Sequence, residues 1–336
     1  MFRHILVPLD GSSCAEQVLP VAARLARSSE GTITLLRVVD LTYDTVTYGL
    51  GASYISQNII DDELSSAQRY LAQWSKHRLL EGIVVYTQVA SGNPAAAIIA
   101  QAAQPPTDLV VISSHGYTGV KRWLLGSVAE KVARHALVPV LVVRDKEPLH
   151  THKSSDHGEF VRALVVMDTL PHSQAALVPA AELVAALSTA DQGKLHLAQI
   201  VVPPEGISAT EREELLQSVN QHLLSAGQSI RNQLLARFGP TLRPELSWSA
   251  ALTNDIAEGI VQIAEHGEES TAFGKMEGCD LIALTTHGPS GLHLWPVGGI
   301  AERVLHETRL PLLIVHPEEV VEEEHRKRHQ PLETAM

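Results

Sequence analysis

Two stretches of this chain carry small, hydroxyl-bearing and imidazole residues at one spacing. Ser113-Ser114-His115-Gly116 is followed, after Tyr117 to Leu125, by Gly126-Ser127-Val128-Ala129. Thr285-Thr286-His287-Gly288 is followed in the same way by Gly298-Gly299-Ile300-Ala301. A glycine that opens a helix suits an anion, because the first helical N–H groups lack intrahelical partners and carry the positive end of the macrodipole. Gly126 would let a phosphate approach the backbone closely, and Ser127 would add a hydroxyl donor. A plainer use of the same residues is a loop end at Gly126 and a helix cap at Ser127. Spacing alone leaves both open. His115, Gly116, Gly119, Trp123, Gly126, Ala129, Glu130, Val132, Pro139, Leu141 and Val143 all recur at an offset of 172, His115 matching His287, whereas Ser127 meets Gly299.

Other reactive residues form weaker patterns. His115 and His287 could touch a phosphate or act as bases, or could hydrogen-bond and shape their loops. Neither copy shows a Ser/Asp pair that would complete a triad, and no G-x-x-x-x-G-K-[ST] phosphate loop is present in the sequence. His150, His152, His157, His325 and His329 fall in polar segments that offer a metal no fixed geometry. Cys14 sits near a helix start, where a thiol can be acidified or simply packed.

These residues need elements to position them. His4–Leu9 reads as a buried strand, Val18 to Ala26 as an amphipathic helix ended near Gly31, and Thr32–Val39 as a second strand, making a βαβ unit. The pattern predicts a helix around 61–80, a strand at 83–89, a helix from Pro94 to Ala102 and a strand at 108–113. A helix over 127–135 and a last strand at 140–143 complete the half. The loop 40–57, with Tyr43, Tyr48 and Tyr54, leaves strand two and could form a lid or an ordinary long loop. In such an open parallel sheet a ligand binds outside the carboxyl ends of the strands where the order reverses. Asp10 with Gly11-Ser12-Ser13 ends strand one and Ser113 ends strand four, so both would flank that crevice if the two strands are neighbours.

The second half repeats the series: Asp168 answers Asp10, Gly193 answers Gly31, and long helix 210–238, strand 242–248, a helix from Asp255 and strand 281–285 follow. The polar segment 266–278 has no counterpart and reads as a surface insertion. Residues 1–145 and 160–317 thus form two domains, 146–159 a polar linker, and 318–336 a charged tail without a core pattern.

With 336 residues the chain can bury two cores. A formal charge of −12 argues against nucleic acid or an anionic membrane as the main partner. Two cysteines cannot make a disulfide framework, and no run in the sequence is long enough for a signal peptide or a membrane span, so a cytoplasmic protein is expected.

The order strand-Asp, strand-[ST]-His-Gly, nine residues, Gly-Ser-helix, Pro-Val-Leu-Val-Val resembles the universal stress protein family, here in tandem. The resemblance implies two five-stranded parallel-sheet domains of strand order 3-2-1-4-5, with helices on both faces. It also implies an adenine nucleotide, ATP with or without Mg, in the first domain. Pro8, Asp10 and Val38 would face the adenosine, and Ser113, His115, Gly116, Gly126, Ser127, Val128 and Ala129 the phosphate side. The family's motif begins with a glycine where this chain has Ser113. The second copy departs further, with Thr285 for that glycine, Val166 for the proline and Gly299 for the Ser/Thr. One lost donor to a phosphate costs about 1.5–3 kcal/mol, so the second site is expected to have decayed. The implied role is a stress-response sensor or regulatory module with at most slow ATP hydrolysis. The alternatives are a nucleotide-free member acting through protein–protein contacts and an enzyme of the related adenine-nucleotide hydrolase-like superfamily, for which no metal triad or second-substrate domain is found. The terminal strands "PVLVV" and "PLLIV" would pair antiparallel as an intramolecular pseudo-dimer, leaving room for a further homo-oligomer.

Overall fold

Residues 1–40, 57–115, 125–144, 152–154, 158–168, 171–189, 193–239, 245–270, 274–286 and 299–317 are described by the computed structural model. The loop residues 41–56 with their tyrosines, Gly116, His287, Gly288, Gly298, His150, His157 and the charged tail lie outside them.

Apolar runs bounded by turns become strands, and the amphipathic stretches between them become the helices that cover the sheet. The first half runs β1 (His4–Pro8), α1 (Ser13–Glu16), α2 (Leu19–Ser29), β2 (Thr32–Val39), α3 (Gln57–Ser75), β3 (Val84–Ser91), α4 (Pro94–Ala102), β4 (Leu109–Ser113), α5 (Ser127–His135) and β5 (Val140–Val143). The first helix is split rather than continuous. Ser12 accepts from Ala15 N–H to cap a single turn, and α2 restarts with Pro20 in its first turn. At the end of α2 the left-handed residue is Glu30 (φ 52°), not Gly31. Gly31 serves closeness instead: a Cβ there would sit 2.6 Å from the Arg3 carbonyl oxygen.

The segment read as a plain linker contains two short strands, β6 (His152–Ser154) and β7 (Gly158–Phe160), paired antiparallel. The second half then gives β8 (Arg162–Met167), α6 (Leu177–Leu187), β9 (Lys194–Val201), α7 (Ala209–Phe238), β10 (Glu245–Leu252) and α8 (Ile256–His266). A hairpin of β11 (Glu268–Ser270) and β12 (Gly274–Met276) precedes β13 (Leu281–Thr285), α9 (Ile300–Glu307) and β14 (Leu312–Val315). This hairpin is the expected insertion. It does more than lie on the surface, because Glu268 reaches to 3.6 Å from Nε2 of the buried His196.

The two five-stranded halves share one ten-stranded sheet, ordered β10-β9-β8-β13-β14-β5-β4-β1-β2-β3. Each half keeps the 3-2-1-4-5 order with parallel pairs, and the halves join where β14 pairs antiparallel with β5. The register sets Leu312 against Val142, Leu313 against Leu141 and Ile314 against Val140. All six are fully buried. Joining the strands removes two exposed apolar edges, each with a row of unpaired backbone groups. Helices strengthen the junction: Arg24 of α2 donates to the Leu187 carbonyl at the end of α6, 2.5 Å away. The amino group of Met1 pairs with the buried Glu182 of α6 at 2.6 Å.

Candidate functional site

β1 and β4 are neighbours, with Ile5 opposite Leu109 and Leu6 opposite Val110. The strand order therefore reverses between them, and their carboxyl ends bring Asp10 and Ser113 to one crevice. The β1 end is shaped by Asp10, whose Oδ1 accepts from Ser12 N–H at 2.9 Å and Ser12 Oγ at 2.5 Å. Gly11 follows with φ 82°, and a Cβ there would lie 3.0 Å from Arg37 Nη1, so the turn favours glycine on both counts. Pro8 is buried beneath this turn, and Val38, half-buried, packs on the sheet face that also carries Leu6, Leu36 and Ile112.

At the end of β4 the departure from the family's glycine becomes legible. Ser113 is 6% exposed, and its hydroxyl donates to the His115 carbonyl at 2.6 Å. The side chain thus folds back onto its own chain. Ser114 Oγ lies 3.0 Å from His115 Nδ1, which makes the histidine a shaper of this turn. Gly126 N–H donates to the Ser114 carbonyl at 2.7 Å and ties the start of α5 to the end of β4. A Cβ on Gly126 would stand 3.1 Å from that same carbonyl oxygen. Its glycine is needed for this close approach of chain to chain.

Gly126, with φ −67° and ψ 139°, is itself the N-cap, and Ser127 is the first helical residue, not the cap. No side chain caps α5, so its first N–H groups face the end of the crevice without a hydroxyl or carboxylate cap of their own. Ser127 is exposed, Val128 half-buried, and Ala129, 3% exposed, sends its side chain into the core. Ala129 can offer a ligand only its backbone. Hydrogen bonds join Ser113, Ser114, His115 and Gly126 at the end of β4, and Asp10 ends the neighbouring β1; Gly116 lies outside the described residues.

The second half builds the same corner differently. Val166 packs half-buried where Pro8 stands, and Thr285 ends β13 in register with Val315. Gly299 is the N-cap of α9, so this helix starts one position later than α5, and its first residue is Ile300, 38% exposed. An apolar side chain stands where the first half presents a serine. A hollow of about 420 Å³ lies elsewhere, between Pro203, Glu205, Arg212 and Asn254 beyond the ends of β9 and β10. It is away from the β8–β13 crevice, and strand topology is the better guide to the site.

Sequence reasoning missed Arg37 and the Glu16–Tyr70–Trp74 group. Tyr70 and Trp74 both donate to Glu16 Oε1, at 2.9 and 3.1 Å, and burial followed by the Glu16 contact pushes the Tyr70 phenol well above its ordinary value. The aromatic residues of α3 and the short α1 are far apart in sequence, so no local pattern announces the contact. No helix among the described residues is long and apolar enough to cross a membrane.

Comparison with known proteins agrees with this architecture. The model of the universal stress protein family matches residues 1–144 and again 159–316. A universal stress protein of Bacillus subtilis (strain 168) is 31% identical over 148 residues, covering 43% of this chain and all of that protein. The crystal structure of a universal stress protein from Archaeoglobus fulgidus DSM 4304 superposes with a TM-score of 0.61 at 19% identity, covering 93% of this chain and 98% of its own. One from Pseudomonas aeruginosa UCBPP-PA14 gives 0.57 at 16% identity and 98% coverage of both chains. With both halves matched by one family model, the chain belongs to the universal stress protein family and carries two of its domains in tandem.

Proposed function

We propose that the first domain binds an adenine nucleotide, ATP with Mg, and that the chain acts as a nucleotide-responsive stress module rather than a dedicated enzyme. The carrying observation is the start of α5, which has no side-chain cap and opens beside the β1–β4 reversal. Backbone N–H groups of Ser127, Val128 and Ala129 would hold the phosphates, the Ser127 hydroxyl adding a donor. Pro8 and Val38 would supply the apolar wall for the base, and Asp10 a carboxylate for the ribose. Ser113 stays compatible with this use because its hydroxyl is turned onto the His115 carbonyl. Bound magnesium would neutralise phosphate charge.

The second domain keeps the fold but offers Ile300 and Gly299 in place of the serine, so one nucleotide per chain is expected. Ser127→Asp tests the reading cleanly. Ser127 is exposed, and an aspartate in the first helical turn favours the fold through the macrodipole while repelling a phosphate. Wild type should gain thermal stability with Mg-ATP, and the variant should lose that gain with its unliganded melting temperature held or raised. An equal gain in both proteins would place the nucleotide elsewhere.

A further inference from the structure

The offset of 172 also relates contacts that cross the seam, pairing Arg144 with His316 and Ala133 with Leu305. Arg144, just past β5, donates through Nη2 to the Leu305 carbonyl and through Nε, at 3.5 Å, to the Leu310 carbonyl. Its counterpart His316, just past β14, sets Nε2 3.3 Å from the Ala133 carbonyl oxygen. A carbonyl only accepts, so Nε2 carries the proton, and in the neutral ring Nδ1 accepts from the Thr286 hydroxyl at 2.9 Å. Ala133 and Leu305 stand in the last turns of α5 and α9. Each half therefore holds the other's last helix by its carboxyl end. The two grips are unequal. A guanidinium gives α9 charge-assisted hydrogen bonds, about twice as strong as neutral ones, whereas α5 receives one imidazole N–H.

Building on the nucleotide reading above, on which this rests, we propose that occupancy at the start of α5 is passed across the seam, through Ala133 and His316 to Thr286. The second domain then responds to the first. Thr286 is the counterpart of Ser114 and directly follows β13, at the corner where the second half differs. Ala133, His316 and Thr286 are all buried, so bulk water competes little for these hydrogen bonds. A second tie leaves α5 beside the first, with Arg134 3.2 Å from Glu130 and 3.3 Å from Glu302 of α9. Nine residues make α5 about 13 Å long, short enough to move as one stiff piece. Phosphate at its first N–H groups would fix α5 at one end, and the Ala133 carbonyl at the other end would then order His316 and α9. Such ordering couples two corners without a large displacement.

The test is hydrogen exchange of the full chain with and without saturating Mg-ATP, with calorimetric titration of the same samples. In wild type, exchange in α9 and around 286 and 316 should slow about fivefold or more on binding, relative to β9 and β10, which the relay does not touch. His316→Leu should still bind Mg-ATP and lose that local slowing. Thr286→Val, closer in shape to the residue it replaces, should lose part of it and carries the comparison if His316→Leu does not fold. Wild type that binds nucleotide without the local slowing would overturn the relay and leave the nucleotide reading standing. Equal local slowing in wild type and the variants would overturn it too. No heat with Mg-ATP in wild type would remove the reading and the relay together.

Discussion

The two halves share one topology and differ at the corner where a ligand would sit. At the first, α5 opens on an exposed serine beside Asp10 and a glycine turn; at the second, α9 opens one residue later on an exposed isoleucine. Away from that corner the differences run the other way. The second half has gained a hairpin, packed over a buried histidine that lies 2.8 Å from both Ser247 and Ser249. On the first half's outer strand Val84 and Tyr86 remain 56% and 59% exposed. The shared sheet is alike in both halves, and on the proposed reading the corner that differs is the one a ligand would use.

The largest effect should come from breaking the junction of the halves. Val142→Asp with Ile314→Asp would bury two unpaired carboxylates in the β5–β14 seam, at about 3–5 kcal/mol each. We expect the chain to lose cooperative unfolding or to fail to accumulate as a monomer, read by calorimetry and light scattering. Comparable stability to wild type would mean the ten-stranded sheet is not the folded unit.

A smaller effect should separate the halves. Gly267 has φ 74°, and a Cβ there would come within 2.0 Å of the Met276 carbonyl oxygen, so Gly267→Ala should cost roughly 1–3 kcal/mol and loosen only the second half's hairpin. Hydrogen exchange should then rise around 267–278 and leave β1 to β5 unchanged. Exchange rising evenly in both halves would show that the hairpin supports the whole molecule.

The smallest expected effect compares two equivalent helix caps. Asn93 accepts from Ala96 N–H at 3.1 Å, whereas Asp255 accepts from Ala257 and Glu258 and is held by Arg303, 2.7 Å away. The Arg303 hydrogen bond, then the Glu258 N–H, lower the Asp255 carboxyl below its ordinary value. A lowered carboxyl contributes stability that is present above its unfolded value and is lost as pH falls through the folded one. Asp255→Asn should therefore lower stability slightly at neutral pH, flatten the fall below about pH 4, and match wild type at the acid end. Unchanged acid sensitivity would assign it to other carboxylates.

Much of this was legible in residue order. The runs at 32–39, 94–102, 127–135 and 140–143 match strands and helices residue for residue, because buried strands and capped helices are dictated locally. The antiparallel seam, and with it the joining of the halves into one sheet, agrees with what the family resemblance implied for the two apolar terminal strands. Ser113 stood out only as a departure from the family's glycine, because spacing cannot show that its hydroxyl turns back to the His115 carbonyl. Whether Ser127 caps the helix or opens it was left undecided by spacing, because only the backbone angles of Gly126 place the cap there. The group around Glu16, Tyr70 and Trp74 was invisible because its members meet only through tertiary packing.

The most direct test of a kept site and a lost one is calorimetric titration of the full chain with Mg-ATP, alongside Ser127→Asp. One nucleotide per chain is predicted for wild type, with no measurable binding by the variant. Two equivalent sites in wild type, or a full site remaining in Ser127→Asp, would contradict the account.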